Sequence, residues 1–240
     1  MSIVQRAPGG SVLPTHLDLP HTDNQPVENT YQPLQAMVLT SSLASVLDRL
    51  HPEGNYYIGA DTGIYWRQTQ PPERGCRAPD WYYVPNVPRL LDGQLRLSYV
   101  LWQEKVPPTL VVEVVSGNGF EERDDTPNAG KFWIYEQIIK AQYYAIWEHL
   151  EEQLDVYELF GGRYRKMVPG SNGRFSIPPM GIELGVQESE FFGNPGLWLR
   201  GWDMQGKLIP TSEERAESQT HRAEKLAAKL RELGLDPDRI

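Results

Sequence analysis

A dense apolar run, PPTLVVEVVS, occupies residues 107–116 near the middle of the chain. Two prolines open the run, Ser-Gly-Asn-Gly closes it, and its β-branched residues predict a central strand that is buried on both faces. Glu113 interrupts the apolar pattern in the middle of this strand. Because burying a lone carboxylate is unfavourable, Glu113 is expected to have a partner: a cation, a hydrogen-bond donor or a metal ion.

Helix and strand patterns alternate on both sides of this run. SSLASVLDRLHPEG predicts a short amphipathic helix with a Ser cap, and NYYIGADTGIYWRQ and RAPDWYYVPN predict two strands. After Gly130, KFWIYEQIIK has the apolar spacing of a helix, and AQYYAIWE is typical of a strand rich in aromatic residues. The predicted order is helix, three strands, helix, strand, which is an α/β (α+β) arrangement of αβββαβ type.

The second half of the chain predicts two hairpins and a terminal helix. QLDVYELFGGRYRKMV is expected to turn at Gly161-Gly162, and LWLRGWDMQGKLIP around residues 204–206. A capping box of Thr211 with Glu214 begins the terminal helix, which is expected to stop at Gly234. An apolar stripe on this helix is formed by Ala216, Ala223, Leu226, Leu230 and Leu233. The stripe is expected to be covered by the body of the protein or by a second chain, as in a homodimer.

These patterns divide the chain into three parts. Residues 1–30 are rich in Pro, Gly, Thr and Asn without periodicity, and they are expected to form an irregular arm. Residues 31–210 carry the predicted core and hairpins, and residues 211–240 form the helical tail.

Composition and charge restrict the possible functions. No run approaches the ~20 apolar residues of a membrane span, and the N-terminus lacks the apolar segment of a signal peptide, so we expect a cytoplasmic protein without a membrane partner. The single cysteine, Cys76, excludes an internal disulfide and a cysteine-rich zinc site. The net charge of −9 excludes a broadly basic surface. Contact with nucleic acid would therefore need a local basic patch, such as Arg67, Arg74 and Arg77.

A second carboxylate precedes the strand before the buried run. In APDWYYV, Asp80 follows a proline and stands before an alternating aromatic stretch. If Asp80 and Glu113 share a face of one sheet, their charges repel each other unless a hard cation such as Mg²⁺ bridges them. The alternative is purely structural: Asp80 caps a turn, and Glu113 pairs with a neighbouring Arg or Lys.

The order of these motifs resembles a known family. APD, VVEVVS, an acidic loop, GKFWIYEQI and QYYAIWE follow one another as in the Uma-two family of restriction endonucleases, within the PD-(D/E)XK nuclease superfamily. The resemblance covers residues 56–147 and extends loosely through the hairpins and the tail. It implies a restriction-endonuclease-like core with a mixed sheet. It also implies a metal-dependent endonuclease that hydrolyses phosphodiester bonds of nucleic acid, with DNA as the expected substrate and Mg²⁺ or Mn²⁺ as cofactor.

The resemblance implies roles for individual residues. Asp80 and Glu113 match the family's two metal-binding acids, and the carbonyl of Val114 would complete the coordination sphere. Lys131, at the head of the helix after the buried strand, matches the lysine that assists hydrolysis. Two second-rank candidates are Asp61 and Tyr135. The main departure from the wider superfamily is Val115, which stands where most members carry the lysine, so catalysis would depend on Lys131.

Two other classes of function remain open. A binding or scaffolding protein could keep the fold without catalysis and partner through its C-terminal helix. A glycosidase could use Asp80 and Glu113 as paired acids beside tryptophan platforms, although Trp81 and Trp147 stand at strand positions that favour the core. Mg²⁺-dependent cleavage of nucleic acid distinguishes the nuclease from both alternatives.

Overall fold

The computed structural model describes residues 13–20, 29–233 and 236–237. The α-helices within these ranges are α1 Tyr31–Leu50, α2 Leu101–Glu104, α3 Lys131–Trp133 and α4 Ser212–Glu232, and two short 3-10 helices span Pro72–Gly75 and Pro178–Met180. A π-helix over Ile134–Ile139 continues α3, and the two form one segment, the site helix (residues 131–139). The strands are β1 Tyr56–Gly59, β2 Ile64–Tyr65, β3 Cys76–Arg77, β4 Trp81–Pro85, β5 Tyr99–Val100, β6 Leu110–Val114, β7 Tyr143–Glu148, β8 Gln153–Phe160, β9 Arg163–Lys166, β10 Phe175–Ile177, β11 Ile182–Phe191 and β12 Asn194–Asp203.

The largest sheet has six strands in the order β1-β4-β6-β7-β8-β9. It is mixed, because β6 and β7 run parallel while the other neighbours run antiparallel. The site helix connects the two parallel strands, as a crossover connection requires. Together with α1, β1 and β4, these elements give the αβββαβ order. The predicted fold class, a mixed-sheet core with extra hairpins and a C-terminal helix, is confirmed.

The central strand β6 is buried on both faces, as its apolar run predicts. Val112 and Val114 belong to one core cluster, which also contains residues of α1 and of the β10-β11-β12 sheet. Val111 and Val115 belong to a second cluster with residues of the site helix. Because side chains alternate along a strand, Glu113 points to the same face as Val111 and Val115. The buried glutamate therefore lies beneath the site helix.

Helix α1 begins ten residues before the predicted Ser cap, so the predicted start is wrong. Asn29 supplies the N-terminal cap, since its side-chain oxygen accepts hydrogen bonds from the backbone N–H groups of Tyr31 (2.9 Å) and Gln32 (3.1 Å). Pro33 lies in the first turn, where a missing N–H leaves no intrahelical hydrogen bond unmade. The early start places Gln32 close to the end of β6.

The hairpin of β8 and β9 turns at Gly161-Gly162, as predicted. The hairpin predicted around residues 204–206 is present in a short form. The N–H of Asp203 donates to the carbonyl of Lys207 (2.9 Å), and the returning arm forms an antiparallel bridge between Trp202 and Leu208 rather than a full strand. The long partner of β12 is β11, a ten-residue strand that the sequence pattern did not predict.

The tail forms the expected helix with the expected capping box. The N–H of Glu214 donates to Thr211 Oγ1 (3.2 Å), and the N–H of Thr211 donates to Glu214 Oε2 (2.7 Å). Buried Arg200 also binds Glu214 at 2.6 Å, which fixes the start of α4 to β12. No residue of α4 itself is buried, and Leu226 is 57% exposed. Within the described residues, the body leaves this stripe exposed, and cover by a second chain stays a prediction. The stop predicted at Gly234 lies outside the described residues.

Part of the N-terminal arm is described, and it lies against the body. His16 and Leu19 are buried in residues 13–20, and the Tyr65 hydroxyl donates to the carbonyl of Pro20 (2.7 Å). Residues 1–12 and 21–28 of the predicted arm lie outside the described residues. In the described ranges, no helix has the length and apolarity needed to cross a bilayer.

Candidate active site

The site begins where β4 and β6 pair. Trp81 lies opposite Val112, and Tyr82 opposite Val111. Continuing this antiparallel register by one residue places Asp80 opposite Glu113, so the two acids share a face of the sheet. Asp80 Oδ2 accepts a hydrogen bond from the backbone N–H of Val114 (2.6 Å), which fixes the carboxyl beside the end of β6.

Glu113 has two partners on the site helix. Its side chain is 3% exposed, and its Oε1 accepts a hydrogen bond from the hydroxyl of Tyr135 (2.6 Å). The ammonium of Lys131 lies 3.5 Å from Glu113 Oε2. Lys131 and Tyr135 stand one helical turn apart, so they reach the same carboxyl from one face of the helix. Asp80, Glu113, Lys131 and Tyr135 therefore form a single cluster.

Burial controls the acidity of the two carboxyls. It raises the pKa of Glu113 to about 8 and the pKa of Asp80 to about 6. The Lys131 ammonium opposes both shifts, while the Asp80 carboxylate further raises the pKa of Glu113 and the Asp61 carboxylate further raises the pKa of Asp80. Burial lowers the pKa of Lys131, but the carboxylates around its ammonium outweigh this and raise that pKa above its ordinary value. At neutral pH the cluster thus retains a proton on Glu113 unless a further cation stabilises its charge.

The loop between β6 and the site helix supplies two carboxylates that the sequence did not place in the site. Glu121 Oε1 and Glu122 Oε1 each lie 3.3 Å from the Lys131 ammonium. The sequence signal is the acidic stretch FEERDD in this loop. A charge run of this kind is more often solvated, and only the folded loop shows that Glu122 is buried.

Contacts with the sheet and the site helix hold this loop in place. The Tyr144 hydroxyl donates to the carbonyl of Glu122 (2.9 Å), and the N–H of Phe132 donates to the carbonyl of Asp124 (3.0 Å). A Cβ at Gly130 would lie 2.0 Å from that same carbonyl, so the close approach requires glycine. The loop is consequently well suited to position its side chains at Lys131.

The second-rank candidate Asp61 lies at the edge of the cluster. Its N–H donates to the carbonyl of Pro79 (3.0 Å), which holds it next to Asp80 in the fold. Its side chain is exposed, and its charge contributes to the raised pKa of Asp80. The structure thus brings Asp61 near the acids without a direct bond to them.

The carbonyl of Val114 has a partner that the sequence did not predict. Gln32 Nε2, from the first turn of α1, donates to it at 3.2 Å. Because a strand residue directs its N–H and C=O to the same side, this carbonyl lies on the side of β6 where Asp80 is bound. An amide side chain at this point can bind a water molecule as readily as a carbonyl, since it both donates and accepts.

The donors around Asp80 fit a hard divalent ion. Two carboxyls and the Val114 carbonyl are oxygen ligands of the kind that Mg²⁺ prefers, and Mg²⁺ usually keeps several waters beside one or two carboxylates. Within the described residues, no group of three or more His, Cys, Asp or Glu side chains is arranged to hold a metal ion. The ligands of a metal at this site would therefore be the carboxylates of Asp80 and Glu113, the carbonyl of Val114 and water molecules.

One basic group borders the site. Arg77 Nη2 donates to the carbonyl of Ala129 (2.6 Å), two residues before Lys131, and its guanidinium stacks over the Trp66 ring at 5.8 Å. Arg67 and Arg74 are exposed near the tip of the same β2-β3 hairpin. Arg77 therefore lies beside the start of the site helix.

Comparison with known protein families identifies the class to which this chain belongs. The profile of the Uma2 family, described as "Putative restriction endonuclease", matches residues 25–191. The chain therefore belongs to that family. A crystal structure titled as a putative nuclease belonging to DUF820, from Anabaena variabilis ATCC 29413, is similar with a TM-score of 0.38 and 14% identity over 71% of this chain and 86% of that chain. No functionally curated protein matches.

Proposed function

We propose that the chain is a Mg²⁺-dependent endonuclease that hydrolyses phosphodiester bonds of nucleic acid, with DNA as the expected substrate. The supporting observation is the position of Asp80 opposite Glu113, with Asp80 bonded to Val114 and Lys131 beside Glu113. Mn²⁺ is expected to replace Mg²⁺, because carboxylate, carbonyl and water ligands suit both ions.

Each side chain has its own task in this proposal. Asp80, Glu113 and the Val114 carbonyl hold the metal, which when bound polarises the scissile phosphate and makes a water molecule more acidic. Tyr135 orients Glu113 through the hydrogen bond to Oε1. Lys131 provides a fixed positive charge where negative charge develops on the phosphate in the transition state.

A cleavage assay on mixed-sequence DNA duplex and single strand tests the proposal. Asp80→Asn and Glu113→Gln are expected to abolish Mg²⁺-dependent cleavage while the fold is retained. Glu136→Gln is a matched control. Like Glu113, Glu136 is a buried glutamate, but it lies on the site helix and binds Arg163 and the N–H of Tyr164 rather than the residues of the proposed metal site. Equal cleavage by the parent and by both site variants would contradict the proposal.

A binding or scaffolding role is the second candidate. The exposed apolar stripe of α4 favours it, since such a surface is available to a partner. The absence of both Mg²⁺ binding and cleavage in the parent would favour this role over the nuclease.

A further inference from the structure

The environment of Lys131 contains more negative charge than one ammonium requires. Its Nζ lies 3.5 Å from Glu113 Oε2 and 3.3 Å from both Glu121 Oε1 and Glu122 Oε1. If Glu113 binds a metal, as the proposed function requires, Lys131 and that metal compete for the same carboxylate. Another anion must then hold the ammonium if it is to stay in the site.

We propose that Glu122 is a positioning residue that holds Lys131 beside the metal site, so that Glu113 remains available to the metal. This inference rests on the proposed function. Glu122 provides the charge that balances the ammonium when Glu113 turns to the metal. Lys131 then keeps its place without blocking a ligand.

Burial distinguishes Glu122 from its neighbour Glu121. The Glu122 side chain is 9% exposed, whereas that of Glu121 is 73% exposed, although both lie at the same distance from Lys131. Solvent and salt screen an exposed pair far more than a buried one. Glu121 therefore serves as a control that is matched in charge, distance and position in the chain.

The backbone of Glu122 is fixed independently of its side chain. Its carbonyl accepts the hydrogen bond from Tyr144 (2.9 Å), and Tyr144 is fully buried on β7. The next residue, Arg123, pairs with Glu148 at the end of β7 and with Asp155 (3.0 Å) in the first half of β8. A glutamine at position 122 is thus expected to keep the loop in place while removing the charge.

Calorimetric titration of the full chain with MgCl₂ tests the inference. In Glu122→Gln, the only buried carboxylate that still pairs with Lys131 is Glu113, so the ammonium competes more strongly with Mg²⁺. The Kd for Mg²⁺ is expected to rise by about tenfold, a loss of affinity typical when a residue that supports a metal ligand is removed. Glu121→Gln is expected to leave the Kd within about twofold, because its pair is screened. In a Lys131→Ala background, Glu122→Gln is expected to have no effect, since the competing ammonium is absent.

The outcomes separate this inference from others. An equal loss of Mg²⁺ affinity on Glu122→Gln with and without Lys131 would overturn it and indicate that Glu122 binds the metal itself. An unchanged Kd for Glu122→Gln, in a parent that binds Mg²⁺ and cleaves, would overturn this inference and leave the proposed function intact. A parent that neither binds Mg²⁺ nor cleaves would overturn both. If Glu122→Gln fails to fold, Glu122→Asp keeps the charge but shortens its reach, and an unchanged Kd for that variant would also contradict the inference.

Discussion

Asp80 and Glu113 lie opposite each other on antiparallel strands, and the carboxyl of Asp80 binds the N–H of Val114 at 2.6 Å. Two acids in this position repel each other when both are ionised, and burial adds to the cost. The Lys131 ammonium compensates for part of this charge at 3.5 Å from Glu113. The pair can therefore accept a further cation, and its energetics give the first three of the five predictions below.

The first prediction concerns stability without metal. The pKa of Glu113 is raised from 4.5 to about 8, and that of Asp80 from 3.8 to about 6. A raised carboxyl pKa means that the folded state binds the proton more tightly, so the stabilisation is fully present below the unfolded pKa and is lost as pH rises through the folded pKa. The melting temperature of the metal-free parent is expected to fall between about pH 4 and pH 8 from this source.

Glu113→Gln removes the carboxyl with the larger of these two pKa shifts. In metal-free buffer at pH 8.5 the variant is expected to melt a few degrees above the parent, and its melting temperature should depend less on pH. Calorimetric melts with EDTA across this range provide the measurement. A variant that is strongly destabilised at every pH would identify Glu113 as a structural partner of Lys131.

The second prediction is that Mg²⁺ binding releases protons. A metal binds the ionised carboxylates, so its affinity is expected to rise with pH as Asp80 and then Glu113 lose their protons. Near pH 7, up to one proton should leave per ion bound, because the pKa of Glu113 is about 8. Titration calorimetry in two buffers of different ionisation enthalpy measures this number. A heat that is independent of buffer would contradict the prediction.

The third prediction separates catalysis from metal binding. Lys131→Ala is expected to lower kcat by about 100- to 1,000-fold, the loss seen when one group that stabilises transition-state charge is removed. The affinity for Mg²⁺ should be unchanged or higher, because the ammonium no longer competes for Glu113. Single-turnover cleavage at saturating Mg²⁺ gives the rate, and calorimetry gives the affinity. If Lys131→Ala binds Mg²⁺ more weakly but cleaves at the parent's rate, the prediction is contradicted.

The fourth prediction concerns the basic group on the β2-β3 hairpin. If Arg67 and Arg74 contact backbone phosphates, the double substitution to alanine should weaken binding to DNA of any sequence. It should also reduce the slope of log affinity against log salt by about one per residue. Fluorescence anisotropy with the inactive Asp80→Asn variant measures the slope. Arg49→Ala with Lys207→Ala is the control, because both residues are exposed and lie outside this hairpin. Equal slopes for the two double variants would place the phosphate contacts elsewhere.

The buried strand and its glutamate were predictable because a charge in an apolar run is a local signal. The sequence also predicted a second acid, Asp80, at the start of a neighbouring strand, because Asp80 follows a proline and precedes an alternating aromatic stretch. Which face each residue occupies depends on register, and the register of β4 with β6 follows from pairing of distant segments. The shared face was therefore an expectation that only the fold could test.

Other parts of the site depend on contacts that leave no local pattern. Glu122 stands in an acidic loop that reads as solvated, and its burial depends on Tyr144, 22 residues further along the chain. Gln32 reaches Val114 because α1 begins at Tyr31, ten residues before the Ser cap that the apolar pattern predicts, and Asn29 caps this early first turn. Polar and apolar residues alternate too irregularly along β11 for the sequence to predict a strand. Its extended conformation depends on antiparallel pairing with β12.

The fifth prediction is that the chain forms a homodimer through α4. After its capped first turn this helix lies away from the body, with Leu226 57% exposed and Leu233 69% exposed. Leu226 and Leu230 are four residues apart on one stripe, and an exposed apolar stripe of this kind is stabilised when a second helix covers it. Leu226→Glu places a charge in that seam, so it is expected to shift the parent from dimer to monomer in sedimentation equilibrium. Ala228→Glu adds the same charge two residues away, on the opposite side of the helix, and should leave the dimer intact. A parent that sediments as a monomer, or two variants that behave alike, would leave the stripe to a different partner.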